Sequence, residues 1–241
     1  FRLNACGLSC PGPIVSVSKK IATMNDGDIL TVEATDPGFV RDIDSWCKNT
    51  GNTLIGTRDD KGTFIAEIMK GCEEPMCKLS ENLSRVKEKT MIVFDGDLDK
   101  AIAAFIIATG SAAMGNKVNM FFTFWGLNIL RKSEKVSAKK DLIGNMFGIM
   151  MPRGSKKLSL SKMNFGGIGS KMMRCVMKRK GISSLEDLIE EAKNSGVKMT
   201  ACQMSMDVMG ITKEELIDGV EIGGVATMLG DNDHSNMNLF I

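Results

Sequence analysis

A chain of 241 residues with 43% hydrophobic and 25% charged residues has room for two globular domains and shows no compositional sign of disorder. Its net charge of +2 gives no reason to expect nucleic acid as a partner. No membrane span is expected either: the longest apolar stretch, Ala101 to Ala113, is broken by Thr109, Gly110 and Ser111 and is shorter than the roughly 20 residues a spanning helix requires.

Seven cysteines at irregular spacing do not read as a secreted disulfide framework, so a reducing cytoplasm is expected. Residue 1 is Phe and already has strand character, which reads as a portion of a longer protein. Phe1 to Asn4 leads as a short strand into Leu8-Ser9-Cys10-Pro11-Gly12-Pro13-Ile14. Proline lacks an N–H and fits only the first turn of a helix, so Pro11 and Pro13, with Gly12 between them, fix a helix start. Ile14, Val17, Ile21 and Met24 then recur at helical spacing. Cys10 is expected to cap this helix. The free N–H groups and the positive end of the helix dipole there favour a thiolate, which lowers a cysteine pKa from about 8.5 to roughly 3.5–7.5. Cys10 is the candidate nucleophile, and a small buried cysteine before a proline turn is the bland alternative.

Ile29 to Ala34 alternates as a strand. Asp36-Pro37 repeats the cap-and-proline signal before a helix whose face carries Val40, Ile43 and Cys47 until Gly51 stops it. Cys47 reads as core. Thr53 to Thr57 and Thr63 to Met69 are β-rich runs joined by Arg58-Asp59-Asp60-Lys61-Gly62. The order βαβαββ gives an α+β two-layer domain over residues 1–70.

The runs ACGLSCPGP, NDGDILTVEATDP and RDIDSWCKNTGNTLIG resemble the TusA (SirA-like) sulfur-carrier family over nearly all of residues 1–70. The resemblance implies that Cys10 carries a persulfide sulfur and hands it to partner proteins by transpersulfidation, with Pro11, Gly12 and Pro13 shaping its loop. The chain departs from the family at Asn4, where an acidic residue is usual, and at Cys6, where a basic one is frequent; Cys6 becomes a second nearby thiol able to attack the persulfide.

Residues 71–89 read as a linker of about nineteen residues containing Cys72 and Cys77, whose spacing permits a disulfide, a resolving pair or half of a metal site. No second CxxC or histidine pair accompanies them, so no metal is expected. From residue 90 a buried strand, Met91 to Phe94, gives way to an acidic turn and then to a helix, Leu98 to Ala113, apolar almost all round. Further strands over Lys117–Phe124 and Val197–Ala201, with helices near Ile168–Arg179 and Leu185–Ser195, make residues 90–241 an α/β domain with a mostly parallel sheet. Ligands of such sheets bind at the carboxyl ends of the strands, which here present Asp95-Gly96, Phe124-Trp125-Gly126 and Cys202.

The segments ACQMSMDVMGI, FDGDLDKAIAAFIIATGSAAMG, FFTFWGLNIL and GVATMLGDNDHSNMNLFI resemble the DsrE/DsrF-like family over about residues 90–241. That resemblance implies a subunit that assembles into trimers or multiples of them and relays sulfur through a cysteine, carried over to Cys202. Met204, Met206 and Met209 around it read as core packing. Cys175, in phase with Ile168 and Met172, reads as structural and is the runner-up sulfur site. Gly166 to Lys171 departs from phosphate-loop spacing and reads as a hinge, and His234 as part of a polar turn.

The reading that follows is a sulfurtransferase-like sulfur relay without cofactor. Its donors and acceptors would be proteins such as rhodanese-like or CoA-disulfide-reductase-like modules. Two rivals remain: a thiol/disulfide redox module using Cys6/Cys10 or Cys72/Cys77, and an oligomeric scaffold that binds small anions without chemistry.

Overall fold

The computed structural model describes residues 1–71, 87–134, 136, 148 and 150–241. Cys72, Cys77 and most of the apolar run Asn145–Met151 lie outside the described residues.

The first part of the chain runs β1 (Arg2–Ala5), α1 (Gly12–Ala22), β2 (Ile29–Ala34), α2 (Phe39–Thr50), β3 (Thr53–Asp60) and β4 (Thr63–Met69). The strands lie in the order β1-β2-β4-β3, with β1 parallel to β2 and the other pairs antiparallel. Period-two alternation buries Leu30, Val32 and Ala34 of β2 and Ala66 and Ile68 of β4 on one face. That face meets Ile14, Val17 and Ile21 of α1 and Phe39, Ile43 and Trp46 of α2, giving two layers. The β3–β4 hairpin is tighter than the sequence implies. Both strands run to a two-residue turn, Lys61-Gly62, with φ of 52° and 87°, and the Asp59 carboxylate accepts the Gly62 N–H at 2.8 Å.

The second part forms a separate five-stranded sheet. It comprises β5 (Glu88–Val93), α3 (Leu98–Ala113), β6 (Lys117–Phe122), α4 (Ile168–Arg179), α5 (Leu185–Asn194), β7 (Lys198–Cys202), α6 (Gln203–Met209), β8 (Val220–Gly223), α7 (Val225–Asp233) and β9 (Ser235–Phe240). All neighbouring pairs in the order β8-β7-β6-β5-β9 are parallel. Residues 118–122 of β6 are buried, as expected for a strand covered on both faces. The apolar helix α3 spans the residues expected of it, with its buried Leu98, Ala104, Phe105 and Ala108 in the core of this sheet.

The structure corrects some of these expectations and locates others. The strand predicted to reach Phe124 ends at Phe122, because residues 124–130 turn into 3-10 geometry. The stretch Gly166–Lys171 leads into α4: Gly166 and Gly167 hold φ of 66° and 96° in open space, whereas a Cβ on Gly169 would lie 2.0 Å from the Met163 carbonyl oxygen. His234 is exposed in the turn that closes α7, where it is the helix's C-cap. The face of α4 carrying Ile168, Met172 and Cys175 points outward, since the helix buries only Gly169 and Met177.

Candidate functional site: the Cys10 loop and the thiols beyond it

The two prolines do start α1, but the cap is Pro11 itself (φ −92°, ψ 7°), whose carbonyl accepts the Val15 N–H at 3.0 Å. Cys10 stands one residue outside, joined to Pro11 by a cis peptide bond. Pro13 is buried under the helix start and Gly12 closes the turn by donating its N–H to the Ser9 carbonyl at 2.8 Å. The thiol is exposed.

Its electrostatic setting is the reverse of the one expected. The Cys10 N–H donates to Oδ2 of Asp36 at 2.8 Å, and its thiol hydrogen-bonds to the carboxylate of Asp42. Partial burial, then the negative charges of Asp42 and Asp36, then the hydrogen bond to Asp42 all push the Cys10 thiol pKa up rather than down. Asp42 is raised as well, by burial and by the neighbouring Asp36, although the bond from Cys10 opposes this. The physical reason for the correction is one of magnitude. A helix N-terminus offers about half an elementary charge, whereas two full carboxylates face the sulfur. Burial and the two carboxylates thus favour the protonated thiol of Cys10 over its thiolate.

Local sequence explains the arrangement. Asp36 was expected to cap α2, but α2 begins at Phe39 after Gly38, and Asp36 instead uses Oδ1 for the Gly38 N–H at 2.9 Å and Oδ2 for Cys10. Asp42 follows in the first turn of α2. A Cβ on Gly38 would lie 3.4 Å from Oδ1 of Asp36 and 3.7 Å from Oδ2 of Asp42, so the two carboxylates converge there. Neither aspartate was singled out from sequence as a site residue. The spacing of six between them, at the start of a helix facing the Cys10 turn, was the available signal.

Cys6 is exposed in the turn after β1, where Oδ1 of Asn4 accepts its N–H at 2.9 Å. The departure at Asn4 thus serves the turn. Gly7 ties the same loop to the residue after β2 by donating to Thr35 Oγ1 at 2.9 Å.

The loop is also seated against the second sheet's helices. Ser9 Oγ donates to the Lys180 carbonyl at 2.8 Å and Ser9 N–H to the Gly181 carbonyl at 3.3 Å. Gly181 has φ of +65°, and a Cβ there would lie 2.0 Å from the Gly7 carbonyl oxygen, so only glycine admits this approach. Lys19 of α1 pairs with Glu191 of α5 at 2.5 Å.

Cys202 ends β7 and caps α6 at the carboxyl edge of the sheet, as the topology predicts, but it is buried, with 6% of its surface exposed. Met206 and Met209 are core, whereas Met204 is exposed. Thr123 and Ser205 share a hydrogen bond at 2.7 Å that holds α6 to the turn after β6. Cys47 is core, its thiol pushed up to about 12 by burial and then by the charge of Asp44. Cys175 is exposed on α4, which corrects its structural reading. The structure thus gathers Cys6, Cys10 and the prolines into one loop, and none of the contacts described joins that loop to Cys202. Among the described residues, no three His, Cys, Asp or Glu side chains converge as a metal site would require.

Comparison with known proteins divides the chain along the same two sheets. The DsrE/DsrF/DrsH-like family model matches residues 85–240, and the model of sulfurtransferase TusA matches residues 1–70. YrkE of Bacillus subtilis is 49% identical over 157 residues, covering 65% of this chain and 98% of that protein. Sulfur carrier protein DsrE2 of Allochromatium vinosum is 38% identical over 159 residues, 64% of this chain and 98% of its own length. Sulfur carrier protein TusA of the same organism is 45% identical over 69 residues, 29% of this chain and 91% of its own length.

Proposed function

We propose that this chain, which belongs to the DsrE/DsrF/DrsH-like family and carries a TusA-type module at its amino-terminal end, relays sulfane sulfur as a cysteine persulfide on Cys10. The observation that carries the reading is the exposed Cys10 thiol on a loop framed by Pro11 and Pro13, within the segment matched by the TusA model. On this reading the chain divides into a carrier domain, 1–70, a linker, 71–89, and a DsrE-like domain, 90–241.

Loading is sulfurtransferase-like. The Cys10 sulfur, as thiolate, bonds to the outer sulfur of a donor persulfide. The donor's S–S bond breaks, its electron pair returns to the donor's inner sulfur, and the proton lost from Cys10 ends on that sulfur. No electrons leave the pair of proteins, so no oxidant is required. Cys10 then passes the sulfur to Cys202 or to a partner protein such as a rhodanese-like or CoA-disulfide-reductase-like module, in the cytoplasm. Cys6 and Cys175 are the secondary thiols on this reading, and Pro11, Gly12 and Pro13 shape the loop.

Self-association completes the proposal. Met204 and Val208 on α6, Val225 and Leu229 on α7, and Trp125 are exposed apolar side chains near the carboxyl edge of the sheet. A second copy, in a trimer or a multiple of one, covers them.

Intact-mass spectrometry tests the carrier. After incubation with glutathione persulfide, the parent should gain about 32 Da and Cys10→Ser should gain none at that site. Equal gain in both would refute Cys10 as the carrier, and a loss of about 2 Da would point to a disulfide instead.

A further inference from the structure

The two carboxylates around Cys10 have no place in a scheme where a helix terminus simply activates a thiol. Asp36 takes the Cys10 N–H at 2.8 Å and Asp42 takes the thiol hydrogen bond, with both carboxylates converging beside Gly38. Among the described residues no lysine or arginine forms an ion pair with either aspartate. Among the described residues the charges that act on the sulfur are those of the two aspartates, set against the start of α1.

Such a field acts differently on the two states of the site. The empty site is a neutral thiol, which donates a hydrogen bond to Asp42 and loses nothing to the negative surroundings. A persulfide spreads charge over a second sulfur and ionises more readily than its parent thiol, so at neutral pH the loaded site is an anion. It faces the same carboxylates and has no proton to donate to Asp42.

Resting on the reading of Cys10 as a persulfide carrier, we infer that Asp36 and Asp42 make Cys10 a sulfur donor rather than a sulfur store. They favour the empty thiol over the loaded persulfide and so drive sulfur outward. The exchange balances as Cys10–S–S⁻ plus acceptor R–SH giving Cys10–SH plus R–S–S⁻. The acceptor sulfur bonds to the outer sulfur, the bond from that sulfur to Cys10 Sγ breaks with its electron pair going to Sγ, and the acceptor's proton ends on Sγ, hydrogen-bonded to Asp42. No sulfur is lost and no outside electron acceptor takes part. Asp36 and Asp42 are thus positioning residues that set the direction of the reaction.

The test equilibrates the full chain with a fixed ratio of glutathione persulfide to glutathione at pH 7.5 and reads the fraction of Cys10 bearing the added 32 Da. Asp42→Asn and Asp36→Asn keep an acceptor oxygen and remove one charge each. The ratio of loaded to empty Cys10 should rise about three- to tenfold in each variant and further in the double variant. The alkylation rate of Cys10 should also climb at lower pH in the variants than in the parent, a change that a merely structural role would not produce. Asp42→Glu should return loading toward the parent level. If circular dichroism shows that Asp42→Asn does not fold, Asp36→Asn bears the test by itself. Equal or lower loading in the folded variants overturns this inference while leaving the carrier reading intact, whereas absence of loading in parent and variants alike overturns both.

Discussion

The indole N–H of Trp46 donates to the carbonyl oxygen of Ala113 at 2.5 Å, so a side chain from the first sheet's helix layer satisfies a backbone carbonyl at the last residue of α3 in the second. Both residues are buried and share one apolar cluster. The last four carbonyls of a helix lack intrahelical partners, and here one finds its donor in another sheet's domain. Trp46→Phe keeps most of the packing and loses the donor, which should cost about 1–3 kcal/mol because the Ala113 carbonyl is left buried and unpaired. Trp46→Ala should cost about 3–5 kcal/mol. Urea denaturation of both variants checks the order; a Trp46→Phe protein as stable as the parent would mean that the hydrogen bond contributes nothing beyond the ring's contacts.

A second prediction concerns Gly181. Its left-handed φ and its approach to Gly7 leave no room for a methyl group, so Gly181→Ala should push the Cys10 loop away from the turn between α4 and α5. Amide hydrogen exchange at Ser9, whose N–H donates to Gly181, should accelerate at least tenfold, with exchange in β2 and β4 unchanged. Unchanged exchange at Ser9 would show that the loop holds its position without this contact.

A third follows from the thiols. The Cys10 pKa is raised, and Cys47 is buried with its pKa pushed up to about 12. Alkylation of Cys10 by iodoacetamide should therefore be slow at pH 7 and keep rising beyond pH 9, while Cys47 stays unmodified in the native protein. The sign for stability is fixed by the same shift. Below the ordinary thiol pKa of 9.0, Cys47 is neutral in both states; above it the unfolded chain ionises first. Stability should fall as pH rises from about 9 toward 12, and Cys47→Ala should flatten that fall. Unfolding midpoints in urea at pH 7 and pH 10 decide it.

These side chains also show what the sequence made legible. Leu30, Val32 and Ala34, and the unbroken apolar character of α3, announced their elements because burial imposes a period on residue type. The edge strands β8 and β9 escaped notice. Val220–Gly223 is only four residues long, and Ser235–Phe240 alternates polar with apolar amid a polar stretch, so neither carries the signal of a buried parallel strand. Cys10 was legible because its prolines constrain the backbone locally. Its environment was not, since Asp36 and Asp42 reach it from 26 and 32 positions away through the folding of β2 and α2 against α1, and helix-terminus reasoning sees only neighbours in the chain.

The fourth prediction addresses a buried charge network. Arg131 and Glu215 form an ion pair at 3.1 Å with both side chains almost wholly buried, and Arg153 adds a second contact to Glu215 at 3.2 Å. Removing Arg131 breaks this buried pair and leaves the desolvated Glu215 carboxylate less fully compensated, with Arg153 still in contact. Arg131→Met should destabilise the protein by about 3–5 kcal/mol, and replacing Arg131 and Glu215 together by apolar residues should recover much of that loss. A single variant as stable as the parent would contradict this account.

On the proposed reading sulfur enters at Cys10, and isotopically labelled sulfane sulfur, followed by peptide mapping over time, shows whether it does. Parent, Cys10→Ser and Cys202→Ser proteins are each given the same labelled persulfide. In the parent, label should appear first on the peptide containing Cys10 and only later on the one containing Cys202; in Cys202→Ser it should remain on Cys10, and in Cys10→Ser the Cys202 peptide should label at least tenfold more slowly. Label arriving on Cys202 at the parent's rate in Cys10→Ser would contradict the account and make Cys202, not Cys10, the point of entry.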